Sequence, residues 1–212
     1  MPALSHSHRT SLIPLWVKVC YTVFVATLVP AWWWQYGPAN FLWGSDIALL
    51  VTLLGLWRES SLLVSTMAVT VVIADTVWAM DFAIRLGVGP EVFSLPGTHY
   101  MFNPEISLFV RSLSLFHVAL PPLLLWAVHR LGYHRWALIG QTLFCWIVFP
   151  VSYLVSDPGT NINWVYGFGE EPQSWLPEPV YVLFLMVLFP LVLFLPTHLL
   201  LRRLFPTMEK RP

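Results

Sequence analysis

The chain has 212 residues, of which 57% are hydrophobic and only 10% charged, and it carries no net charge. Soluble domains carry about 25% charged residues, and a soluble fold this apolar would expose large hydrophobic patches. The composition excludes an ordinary soluble domain, the lack of a basic field argues against a nucleic-acid partner, and lipid is the solvent that fits.

A membrane-spanning helix needs about 20 apolar residues, with a range of about 17–25. In chain order the segments that meet or approach this length are 12–34, 41–57, 62–86, 106–128, 136–155 and 180–204. They predict an all-α fold, a polytopic transmembrane bundle of about six helices forming a single domain over 1–212. The first run is longer than a signal-peptide core of about 7–15 residues and has no small-residue cleavage site after it, so it reads as a retained helix. The second is the shortest. The runs Trp32-Trp33-Trp34-Gln35-Tyr36 and Trp164-Val165-Tyr166 read as aromatic belts at the membrane–water interface. Cys20 and Cys145 fall inside apolar runs without metal-ligand spacing and read as small packing residues. His6 and His8, in the N-terminal tail, are weak metal ligands. No nucleotide, haem or metal signature is present, and no cofactor is expected.

Charge sets the orientation. Arg9, Lys18, Arg58, Arg130, Arg135, Arg202, Arg203, Lys210 and Arg211 fall on one side of a six-helix path, and only Arg85 and Arg111 on the other. The positive-inside rule then places both termini in the cytoplasm, in what is expected to be a plasma (inner) membrane. The links on the opposite side are elaborated. One, 87–105, is broken by Pro90, Pro96, Gly97 and Pro104. Another, 156–179, holds Asp157, Glu170, Glu171 and Glu178 but no Lys or Arg. Elaborated loops on one face of a rigid scaffold usually carry function, so a site is expected to open there.

Ionisable residues at membrane depth are costly and normally need a partner or a wet cavity. At about 1.5 Å per helical residue, His117 sits roughly 16 Å below the outer face, Asp75 roughly 20 Å from the inner face and Asp46 roughly 8 Å below the outer face. All three share the outer half to the middle of the bilayer and are the candidate catalytic residues. Asp46 follows Gly44-Ser45, where it has an alternative role near the start of a helix that begins late. Asp81 has an ion-pair partner at i, i+4 in Arg85. Pro121 has no N–H for the His117 carbonyl, and Pro122 none for that of Val118, so a kink is expected there, with Ser114 one turn before the histidine on the same face. His198, near the inner end of the last helix, is expected to snorkel to the interface. Asn161 and Asn163 carry amides suited to a carbonyl or an oxyanion, and Arg111, at the outer mouth of the fourth helix, suits a lipid phosphate; these three are the candidate substrate-binding residues.

Phe116-His117 in mid-helix, and Asn163-Trp164-Val165-Tyr166 followed by Pro172, Ser174 and Tyr181, stand in this order relative to the helices. In these pieces the C-terminal half of the chain resembles the YwaF-like integral membrane protein family, one branch of which has phospholipid acyltransferase activity. The resemblance implies a lipid substrate and a functional role for His117. That branch pairs its histidine with a cysteine on an early helix, where this sequence has Ser45-Asp46.

Three functions are open at this point. One is a lipid-directed hydrolase or transferase with His117 as base, Asp46 or Asp75 orienting it, and Ser45 or water attacking. A second is a small proton- or ion-coupled transporter using Asp75 and His117 as a relay. A third is a non-catalytic scaffold whose intramembrane acids bind partner membrane subunits. The expected partners are accordingly membrane lipids or such subunits.

Overall fold

The computed structural model describes residues 11–90, 97–169 and 171–205. His6, His8, Arg9, Pro96, Glu170, Lys210 and Arg211 lie outside the described residues. Those described are predominantly helical, with no β-strand among them. In chain order they form α1 (Leu15–Tyr36), a 3-10 turn (Pro38–Leu42), α2 (Gly44–Arg58), α3 (Ser61–Val88) and a second 3-10 turn (His99–Phe102). Then come α4 (Leu108–Leu113), α5 (Phe116–Leu131), α6 (Ala137–Val155), a third 3-10 turn (Ile162–Trp164), α7 (Glu178–Phe189), a π-helical turn (Pro190–Phe194) and α8 (Leu195–Leu204).

Five helical stretches are long and apolar enough to cross a membrane: α1, α3, α6, α4 with α5 over Leu108–Leu131, and Glu178–Leu204. The protein is a multi-pass membrane protein. At 15 residues α2 is about 22 Å long, short of a ~30 Å hydrocarbon core. It still returns the chain to the face it left. Glu59, the residue after α2, accepts hydrogen bonds from the backbone N–H groups of Leu12 and Ile13, both at 3.1 Å, and pairs with Lys18 Nζ at 2.8 Å. On the same face Arg130 Nε donates to the Leu12 carbonyl, His134 N–H donates to Ser65 Oγ, and the Tyr133 hydroxyl meets His198 Nδ1 at 2.7 Å. The starts of α1, α3 and α6 and the ends of α2, α5 and α8 are thus level. Helix α3 is the axis of the bundle. Val64, Met67, Ala68, Val69, Val71 and Val72 are buried all round it, as expected for an apolar helix packed on every side.

Several expectations change. The segment 41–57 does not form one helix: its first part is a 3-10 turn, and α2 begins only at Gly44. The segment 106–128 breaks at Ser114–Leu115, one turn before His117, where the N–H groups of Ser114, Leu115, His117 and Val118 bond three residues back instead of four. The prolines act by crowding the carbonyls of the turn before them, so the chain tightens upstream. In the last span Pro190 has no N–H for the Met186 carbonyl, the backbone passes into a π turn, and Trp146 Nε1 donates to that carbonyl at 2.9 Å. His198 does not snorkel; it is buried against Tyr133. The belts are also redrawn. Trp33 and Trp34 face outward, but Trp32 is 3% exposed and packs inward, and Val165 and Tyr166 are buried in the bundle's outer end.

Candidate functional site

The late start of α2 shapes the site. A helix N-terminus leaves backbone N–H groups without intrahelical partners. Here the Gly44 N–H donates to Asn163 Oδ1 at 3.0 Å, so the loop after α6 is plugged onto the recessed end of α2. Asn163 Nδ2 donates in turn to the Leu42 carbonyl and to Ser152 Oγ. Asn161 closes the loop on itself: its Nδ2 donates to the carbonyls of Gly167 and Gly169, and its Oδ1 accepts from the Tyr166 N–H. Both asparagines hold left-handed backbone, at φ 39° and 56°, which this residue type tolerates. Their amides are therefore engaged in building the plug, and neither contacts His117, Asp75 or Asp46 through a hydrogen bond among those described.

The recess places Ser45 and Asp46 opposite the middle of α3. Ser45 Oγ donates to Asp75 Oδ1 at 2.7 Å. His117 Nδ1, in the first turn of α5, lies 3.2 Å from the same oxygen, a close approach not aligned as a hydrogen bond. Asp75 is 1% exposed. The order of contact is Ser45–Asp75–His117, so the carboxylate stands where a serine triad places its imidazole. The His117 ring is held flat between Trp78 and Phe116, with centroids at 4.5 and 4.1 Å. Trp78 Nε1 is itself fixed by the Gly97 carbonyl.

Asp46 is 3% exposed and accepts from Asn40 Nδ2 at 3.0 Å. It does not cap α2 but sits in its first turn. Tyr36 lies near Arg111 and Asp46. Tyr100, half-buried, reaches in from the loop between α3 and α4 to the neighbourhood of Ser114, Asp46, Tyr36 and Asp75; loss of water around its phenol pushes it above the usual range. Arg111 donates through Nη1 to the Met101 carbonyl at 2.8 Å, which ties α4 to the same loop. In this polar cluster Tyr36 Oη, Asp75 Oδ2, Arg111 Nε, Ser114 Oγ and His117 Nδ1 are buried without hydrogen-bond partners. Groups of this kind at membrane depth need water or a ligand as partner. Asp81 and Arg85 belong to a separate network: Asp81 accepts from Thr98 Oγ1, and Arg85 Nη2 lies 3.0 Å from His99 Nε2.

Ser45 also lines a partly open cleft of about 100 Å³. Its walls are mainly apolar, built from Phe144, Phe149, Phe189, Leu193 and Phe194, with Cys145 among them. Trp43 and Trp164 stand at its outer end in edge-to-face contact at 5.4 Å. Ser45 thus lines an apolar cleft and donates to the carboxylate of a buried polar cluster. No group of three or more potential metal-binding side chains occurs among the described residues.

Sequence reasoning does not find Trp78, Tyr100 or Gln141, the last of which also lines the cleft. Gln141 alone leaves a signal, as a polar residue within an apolar run. Comparison with family models, with curated proteins and with solved structures gives no match to this chain.

Proposed function

We propose that this membrane protein is a lipid-directed hydrolase or transferase and a YwaF-like protein, with Ser45 as nucleophile and the Asp75–His117 pair as its activating group. The observation that carries the reading is the position of Ser45: its hydroxyl donates to a buried carboxylate while the residue itself lines an apolar cleft within the bundle. The apolar walls of the cleft suit an acyl chain, which brings an ester carbonyl to Ser45 beside the polar cluster. Ser45 Oγ adds to the carbonyl carbon and its proton passes to Asp75. The bond to the leaving alkoxide then breaks, and the proton on Asp75 goes to that alkoxide. Water or a second alcohol then cleaves the acyl–serine ester. His117 supports the carboxylate as the proton comes and goes, and Arg111, tied to the loop between α3 and α4, suits the anionic part of a lipid headgroup.

The test is turnover of labelled phospholipids by purified protein, with mass spectrometry of Ser45 for a trapped acyl group. Ser45→Ala and Asp75→Asn are each expected to lower turnover by about 10²–10⁴-fold, and His117→Ala by a smaller factor. Turnover that survives all three substitutions overturns the reading.

A second reading has its own support. Asp46 and Asp75 are both almost fully buried and Asp75 Oδ2 is unpartnered, a pattern suited to a proton or cation relay. It expects proton flux into liposomes that Asp75→Asn abolishes and Ser45→Ala spares.

A further inference from the structure

The apolar cleft has a direction. Ser45 Oγ bonds to Asp75, and α3 lines the cleft through the residue just before it, Ala74, and then through Thr70 and Met67. From the level of Asp75 to that of Met67 this wall runs about 12 Å, toward the face where α3 begins. The wall from α6 runs the same way, from Phe149 to Gln141, over a similar length. Ser45 therefore stands at one end of the cleft. At the other end are Met67, Gln141 and Phe194, on three different elements, and all three are almost fully buried. That end is closed. At the Ser45 end Trp43, Ser45, Ala74 and Trp164 are half-buried.

An ester has two arms, and only one can occupy the closed end. The alcohol arm of a lipid, a backbone with its headgroup, is the bulkier and more polar, and apolar walls disfavour it. The acyl arm is the one directed inward. Two measures limit its length. An extended carbon chain advances about 1.2 Å per bond, so ~12 Å admits at most roughly ten bonds. Volume is the tighter limit. A core cavity of about 150 Å³ holds one benzene molecule, so the 100 Å³ of this cleft has room for roughly four carbons. An ordinary membrane acyl chain spans one leaflet, about 15 Å of a ~30 Å core, and exceeds both limits.

We infer that the cleft selects a short acyl group, of roughly four to ten carbons, with Met67 and Phe194 as the residues that set its length. This substrate class rests on the lipid-enzyme reading above. A longer chain has to leave part of itself outside the walls, where it gains nothing from them.

Binding tests the inference without requiring turnover. Full-length Ser45→Ala protein in detergent is titrated with tritiated methyl esters of straight-chain acids, from acetate to palmitate. Binding is expected to be tightest between butyrate and decanoate and about tenfold weaker, or more, for palmitate. Met67→Ala and Phe194→Ala, each added to Ser45→Ala, shorten the closed end from different helices. Both are expected to move the optimum to longer chains while keeping the binding of butyrate, which also reports that the variant is folded. Partition of the esters into micelles is common to all the proteins, so the shift between them is the decisive reading. Affinity that rises evenly to palmitate, an optimum that neither variant moves, or no binding by any ester overturns the inference. If the short-chain preference is present but wild-type protein turns over none of these esters and no phospholipid, the catalytic reading fails and the short-chain site stands.

Discussion

Asn163 shows how much one side chain organises here. Its amide bridges the start of α2, the carbonyl of Leu42 and the hydroxyl of Ser152 near the end of α6, while its backbone holds φ 56°. Two costs follow from replacing it, and they can be separated. Asn163→Gly keeps the left-handed backbone but leaves the N–H of Gly44 and the carbonyl of Leu42 unmet; buried groups left this way cost about 1–3 kcal/mol. Asn163→Ala adds about 1 kcal/mol for a Cβ in that conformation. Thermal unfolding in detergent is expected to rank wild type above glycine above alanine. This loop stands out in the sequence as a polar-aromatic stretch, but its role does not: an amide able to face a substrate is equally able to bind backbone, and only the partners decide.

Among the elements, the link between α2 and α3 carries a titratable brace. Burial opposes the charge of Glu59, but bonds from Lys18, Ser11 and the amides of Ile13 and Leu12 outweigh it and hold the pKa down to about 2, against an ordinary 4.5. A carboxyl with a depressed folded-state pKa binds fewer protons folded than unfolded, so its stabilisation is complete above pH 4.5 and is lost as the pH falls from there toward 2. The thermal midpoint of the wild-type protein is expected to drop over this window, and Glu59→Gln to be less stable at neutral pH with a flatter acid profile. A Glu59→Gln curve that parallels wild type throughout the window would remove the brace. The breaks in the helices have the same local origin. Pro121 and Pro190 each deny a carbonyl its donor, and the sequence alone predicts a kink at Pro121. Where the backbone gives way was not visible, because it depends on which neighbour meets the freed carbonyl, as Trp146 does for Met186.

For the whole molecule, the contacts between chain ends and links make α2 a full return despite its length, with the start of α1 and the end of α8 on one face. Arg58, Arg130, Arg135, Arg202 and Arg203 all belong to that face by their positions at its links and helix ends. Reporter fusions at the two ends are expected to give the same, cytoplasmic, result, and a fusion in the link between α1 and α2 the opposite one. Fusions at the two ends that disagree would mean that α2 does not cross. The sequence by itself determined the solvent and the all-helical, multi-pass class, because hydrophobic length acts residue by residue along the chain. Tertiary structure alone decided which polar groups meet. Helix rotation, the late start of α2 and the break before α5 together bring Ser45 and His117 to the same oxygen of Asp75, while Asp46 turns to Asn40. Those angles arise from packing between helices far apart in sequence, and no local pattern of residues encodes them.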